Sequence, residues 1–173
     1  YFQLININQQ MSNQAYELTE ILITTHKGNP KAHAVYADIL YTDKHFQEAK
    51  EQYFIVLEQD KTKSEVWSQV LFIQAEQNDF KGMLNTSDEA LTYFPTNPLF
   101  YYFNGVSNKW FKQYNEAILS LEMGVEFVLE NEMLLLEFYS SLADSYHAIK
   151  QHDLSDSLYE QALEIDPENV MVL

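Results

Sequence analysis

One spacing constrains this chain more than any other. Phe46, Phe80 and Tyr114 stand 34 residues apart, and each opens a similar amphipathic stretch. The stretches read HFQEAKEQYFIVLEQDK from His45, DFKGMLNTSDEALTYFP from Asp79 and QYNEAILSLEMGVEFVL from Gln113. A fourth, QHDLSDSLYEQALEIDPEN from Gln151, carries His152 in the aromatic position, 38 residues after Tyr114. Small or slender residues follow in register at Val56, Ala90, Gly124 and Ala162, where two helices must approach closely. Tyr159, Ala162 and Ile165 share one helical face, and Pro167 ends that helix because it has no N–H to donate and restricts the residue before it. Further helical stretches alternate with these, near 31–43, 64–77, 98–111 and 136–149. A unit of this size cannot bury its apolar stripe alone, so the units must stack.

Composition agrees with stacked helices. Among 173 residues there are only four glycines and four prolines, too few for a strand-and-turn protein, and the apolar fraction of 46% argues against disorder. The net charge of −16 repels phosphate backbones and anionic lipid, so nucleic-acid partners are not expected. Most of that charge reads as a solvated coat on outward helix faces. With no cysteine, disulfides, thiolate metal sites and cysteine nucleophiles are excluded together. No apolar run is long enough to insert directly into a membrane, and neither end reads as a signal peptide. The chain opens on Tyr1-Phe2-Gln3 rather than Met and is expected to be a fragment of a longer repeat protein, cytoplasmic or periplasmic.

The 34-residue helix–turn–helix beat resembles the tetratricopeptide repeat family, and its helical wording reads as the bacterial type. The family's bulky, Leu, small and Tyr positions along a first helix match Tyr139, Leu142, Ala143 and Tyr146. Trp67 takes the bulky position of one repeat, and Tyr101 and Gly105 take the bulky and small positions of another. In the second helices, Ala49 and Tyr53, then Ala90 and Pro95, then Tyr159, Ala162 and Pro167 match the family's positions. Leu71, Gln74, Ser87 and Asn108 depart from the pattern at packing positions. The resemblance implies an all-α, right-handed superhelical solenoid forming a single domain. Residues 1–29 would be a partial repeat, 30–63, 64–97, 98–135 and 136–169 four repeats, and 170–173 the start of a further helix. The four residues added before the last repeat are close to one helical turn, so longer helices are expected across 124–139 rather than a loop. Residues 12–26 are expected to form the second helix of the partial repeat.

No catalytic or phosphate-binding motif is present, and no enzymatic activity, cofactor or metal is expected. His26, His33, His45, His147 and His152 are scattered, with His33 and His152 in packing positions. Ser140 and Ser141 beside Asp144 and His147 lack an oxyanion hole. The more informative stretch is PLFYYFNGVSNKWFKQY, 98–114, in which Tyr102, Val106 and Trp110 form a second apolar stripe beside the packing stripe. The family resemblance implies that such a face lines a concave peptide groove. Corresponding positions on the other first helices are Asp38 and Tyr41, Gln69 and Phe72, and Asp144 and His147, with Lys109 the main cation. A lysine-rich clamp for acidic tails is not expected. The expected function is a protein-interaction module that holds a peptide or protein segment, with Phe72, Tyr102 and Trp110 as aromatic anchors. The alternative is a scaffold that self-associates, for instance as a homodimer, through exposed terminal repeats.

Overall fold

The computed structural model describes residues 14–19, 21–26 and 28–168. Residues 14–19 and 21–25 are helical, as expected for part of the 12–26 stretch. The helix expected after Val170 lies outside the described residues. Eight further helices follow: α1 (Pro30–Thr42), α2 (Phe46–Gln59), α3 (Ser64–Glu76), α4 (Phe80–Tyr93), α5 (Pro98–Trp110), α6 (Tyr114–Val125), α7 (Glu132–Ala148) and α8 (His152–Ile165). No strand occurs among the described residues.

Local chemistry sets the helix ends. Asn29 and Asn97 cap α1 and α5 by accepting from the N–H of Lys31 and Leu99, both at 3.0 Å, and a proline occupies the first turn of each. The turns between α1 and α2, α3 and α4, α5 and α6, and α7 and α8 share one design. Lys44, Asn78, Lys112 and Lys150 take left-handed φ values of 62°, 53°, 60° and 65°. In each, the next N–H reaches back over the turn, from His45 to Leu40, Asp79 to Gln74, Gln113 to Asn108 and Gln151 to Tyr146, at 2.8–2.9 Å. This is the hydrogen-bond pattern that ends a helix by reversing the chain.

The chain divides into two compact units after Ile73, inside α3. In the first unit α1 packs against α2 through Ala37, Leu40, Ala49, Tyr53 and Val56, all buried. Tyr53 Oη donates to Asp38 at 2.6 Å, and buried His33 meets Gln52 at 2.7 Å. Trp67 is only 2% exposed and donates its ring N–H to the Lys61 carbonyl.

In the second unit α4 to α8 pack in succession, and α5 also touches α7. Tyr101, Ile118, Leu121, Phe138 and Leu142 form its core. Burying a ring such as Phe138 contributes about 1.5–3 kcal/mol. The small residues act as the spacing required. A methyl on Gly105 would lie 2.4 Å from Leu121 Cγ, and one on Gly124 would lie 2.6 Å from the Phe138 ring and Tyr101 Cβ.

The departures from the repeat pattern are absorbed in the core. Leu71, Gln74, Ser87 and Asn108 are all buried, and Gln74 donates to Thr86 at 2.9 Å. Asn104, in the leucine position of its helix, donates to Asp88 at 2.6 Å and Ser87 at 3.2 Å. Its carbonyl oxygen accepts from Ser120 at 2.6 Å and Asn108 at 3.0 Å.

Two expectations need correction. Helix does not run through 124–139: α6 ends at Val125, and α7 starts at Glu132 after a connection spanning 126–131. Phe127 turns back to stack on Tyr101 at 5.8 Å, and Asn131 caps α7 by accepting from the Leu134 N–H. First helices begin at 30, 64, 98 and 132, so the 34-residue beat holds and the extra turn sits in α7, which has 17 residues against 13 in α1, α3 and α5. His152 is exposed rather than packed in a core position, and its ring touches His147 at 4.9 Å.

Candidate interaction site

Helix α5 carries two apolar faces, and the structure gives them different neighbours. Tyr101, Asn104, Gly105 and Asn108 are buried toward the helices before and after it in sequence. Tyr102 and Lys109 face α7. Tyr102 is half-buried, packs edge-on against Phe138 at 5.6 Å and donates to Glu137 at 2.9 Å. Burial, then the charge of Glu137 and the hydrogen bond to it, raise the Tyr102 phenol well above its ordinary value. Lys109 Nζ pairs with Asp144 at 2.7 Å. The other Asp144 oxygen accepts from Tyr159 Oη at 2.8 Å, so this carboxylate ties α5, α7 and α8 together. Burial, then the hydrogen bond and charge of Asp144, push Tyr159 up to about 12. His147 lies exposed one turn beyond Asp144.

Trp110 ends α5 and is 62% exposed. Its indole lies flat on Phe80, the first residue of α4, with ring centres 4.2 Å apart and planes 13° from parallel. Together with Val106, Lys109, Lys112 and Tyr114 these two rings line an open pocket of about 510 Å³ at the turn between α5 and α6. Two lysines and no carboxylate line it. A second hollow of about 450 Å³, among α6, α7 and α8, has the opposite character, with Glu122 and Glu126 on its wall and no cation. In a chain of net charge −16, the cationic lining of the Trp110 pocket is unusual.

Of the residues expected from sequence, Tyr102, Val106, Lys109, Trp110, Asp144 and His147 lie in the second unit, and Val106, Lys109 and Trp110 share the pocket. Asp38, Tyr41, Gln69 and Phe72 lie in the first unit. There Asp38 accepts from Tyr53, Tyr41 packs on Phe46 at 5.6 Å, Gln69 is half-buried and Phe72 is 39% exposed. Sequence reasoning did not assign Phe80, Lys112 and Tyr114 to the site. Their signal was present, since Phe80 and Tyr114 occupy the same repeat position on either side of α5. Among the described residues no group of three or more potential ligands is placed to hold a metal, and no helix is long and apolar enough to cross a membrane.

The tetratricopeptide repeat family profile matches residues 136–169, which span most of α7 and all of α8. Those residues form a tetratricopeptide repeat. The chain's solenoid is similar to MamA from Desulfovibrio magneticus RS-1, with a TM-score of 0.76 and 13% identity over 95% of this chain and 90% of that one. TTC0263, a thermophilic tetratricopeptide repeat protein of Thermus thermophilus, matches with a TM-score of 0.60 and 15% identity over 99% of this chain and 90% of that one. The first tetratricopeptide repeat domain of human RPAP3 matches 63% of this chain and 83% of its own, with a TM-score of 0.55 and 16% identity. At these identities the likeness is one of fold. No curated protein matches the sequence. The tetratricopeptide repeat fold supports a protein-interaction role in general terms.

Proposed function

We propose that the chain is a non-enzymatic interaction module whose second unit takes an apolar side chain from a partner's segment into the pocket beside Trp110. The observation that carries this reading is the exposed indole itself, stacked on Phe80 in a hollow walled by Val106 and Tyr114. A large ring held in place by a second ring offers much contact area with little ordering to lose on binding. Lys112 at the rim, with no carboxylate on the pocket wall, favours a segment with a carboxylate beside its apolar anchor. Tyr102 serves chiefly to join α5 to α7 through Phe138 and Glu137.

The test is a titration, followed by fluorescence for wild type and by calorimetry for wild type and variant alike, with a synthetic peptide carrying one leucine or phenylalanine between glutamates. Trp67 is buried and gives a steady background, so a change in emission reports Trp110. Trp110→Ala should weaken binding at least about thirtyfold, the size of a central anchor. Peptide affinity left unchanged by that substitution would discard the pocket.

A further inference from the structure

The six-residue connection between α6 and α7, 126–131, presents an apolar knob whose chemistry complements the Trp110 pocket. Leu129 is 83% exposed, more than any other large apolar side chain among the described residues. Its neighbours hold it out. Phe127 stacks on Tyr101, and Val128 packs on the core. Glu130 takes a left-handed φ of 52°, and Asn131 is fixed as the cap of α7. The backbone is therefore tied on both sides of a leucine that touches little, and docking it costs little conformational entropy. Glu126, Glu130 and Glu132, all exposed, surround that leucine in sequence. The pocket offers the reverse pattern, aromatic walls with Lys109 and Lys112.

The knob cannot fill the pocket of its own molecule. Tyr114, on the pocket wall, is the first residue of α6, and Val125, before the knob, is the last. The 12 residues of that helix form a rigid rod. They hold its two ends roughly 18 Å apart. We infer that the occupant is a second copy of this chain: Leu129 of one molecule enters the Phe80–Trp110–Tyr114 pocket of the next, with the loop glutamates toward Lys112. This rests on the pocket reading above and names its ligand. One contact leaves a free knob on one copy and a free socket on the other, and these either pair with each other to close a dimer or take up further copies head-to-tail. The small contact makes each link weak, and the net repulsion between acidic copies is screened beyond about 8 Å at physiological salt while the local pairs remain.

Sedimentation of the full chain up to millimolar concentration tests this. Wild type should assemble to a dimer or larger species as concentration rises. Leu129→Asp removes the knob and Trp110→Ala the socket, so each variant alone should remain monomeric. Both residues are exposed, and unchanged circular dichroism and unfolding midpoints would show that the fold is kept. Mixed together the two variants should form a 1:1 dimer that grows no further, because one supplies the only working socket and the other the only working knob. A wild type that stays monomeric, a Leu129→Asp variant that still assembles, or a mixture that stays monomeric would each overturn the inference. Titrating the leucine–glutamate peptide into Leu129→Asp separates the two readings. Peptide binding to that variant, together with a wild type that stays monomeric, would leave the pocket standing and remove self-recognition alone.

Discussion

Gly124→Ala is the sharpest probe of how the second unit is packed. Alanine is the better helix former, so on propensity alone the substitution stabilises by up to about 1 kcal/mol, and less so near the end of a helix. The structure opposes this with three contacts at 2.6 Å, to Phe138 Cε1 and Cζ and to Tyr101 Cβ. Ordinary carbon contacts lie at about 3.5–4.0 Å, so something must retreat by about 1 Å. Neither neighbour has room. Phe138 is fully buried, and the Tyr101 Cβ is fixed to the backbone of α5. Overpacking of this kind costs about 1–3 kcal/mol, which leaves a net loss of about 1–2 kcal/mol after the propensity gain. Urea unfolding followed by far-ultraviolet circular dichroism should show the midpoint falling, and a thermal midpoint should drop by about 2–4 °C for each kcal/mol in a chain of this length. Phe138→Leu should relieve the clash, so the double variant should lose less than the two single losses combined, by at least about 0.5 kcal/mol. A Gly124→Ala variant as stable as wild type, or more so, would refute the close approach of α5, α6 and α7.

The remaining predictions concern polar burial, turn strain and ionisation. Asn104→Leu restores the family's leucine but strands Asp88, Ser120 and Asn108, and should lower stability by about 1–3 kcal/mol in urea; a gain would mean the network contributes nothing. Lys150→Gly removes a left-handed lysine at φ 65°, and after the entropy of glycine is set against the relief it should raise the urea midpoint by the equivalent of about 0.5–1 kcal/mol. Tyr146 and Tyr159 are pushed up to about 12 by burial first and then by Glu122 and Asp144, from a reference of 10.0. The folded state holds these protons more tightly, so their stabilisation is full below pH 10 and is lost as pH rises through 10 toward 12. Tyrosinate absorbance should therefore lag behind that of the urea-unfolded chain, and Asp144→Asn should bring part of the titration back toward the ordinary value.

The repeat was legible because packing one helix pair on the next demands the same residue size at the same register. Gly124 meeting Phe138 and Gly105 meeting Leu121 are that demand in atomic form. The four added residues were legible as one helical turn, yet their place was not. FVLENEMLLL carries apolar residues at helical spacing throughout, and periodicity alone cannot see Phe127 fold back on Tyr101 or Asn131 take the Leu134 N–H. Asn104 was illegible for a different reason. Its partners Asp88 and Ser120 lie 16 residues away on each side, and their meaning appears only when three helices are side by side. The pocket was hidden by the repeat itself. Phe80 and Tyr114 fill a position whose ordinary work is packing, so nothing in either residue alone points to a ligand. A 34-residue period nevertheless sets those two rings at matching ends of α4 and α6, with the end of α5 between them. A tryptophan at that end therefore finds a stacking partner on one side and a wall on the other. The regularity that builds the core thus also makes the pocket, and Trp110, where the other repeats carry Thr42, Glu76 and Ala148, distinguishes it from its neighbours.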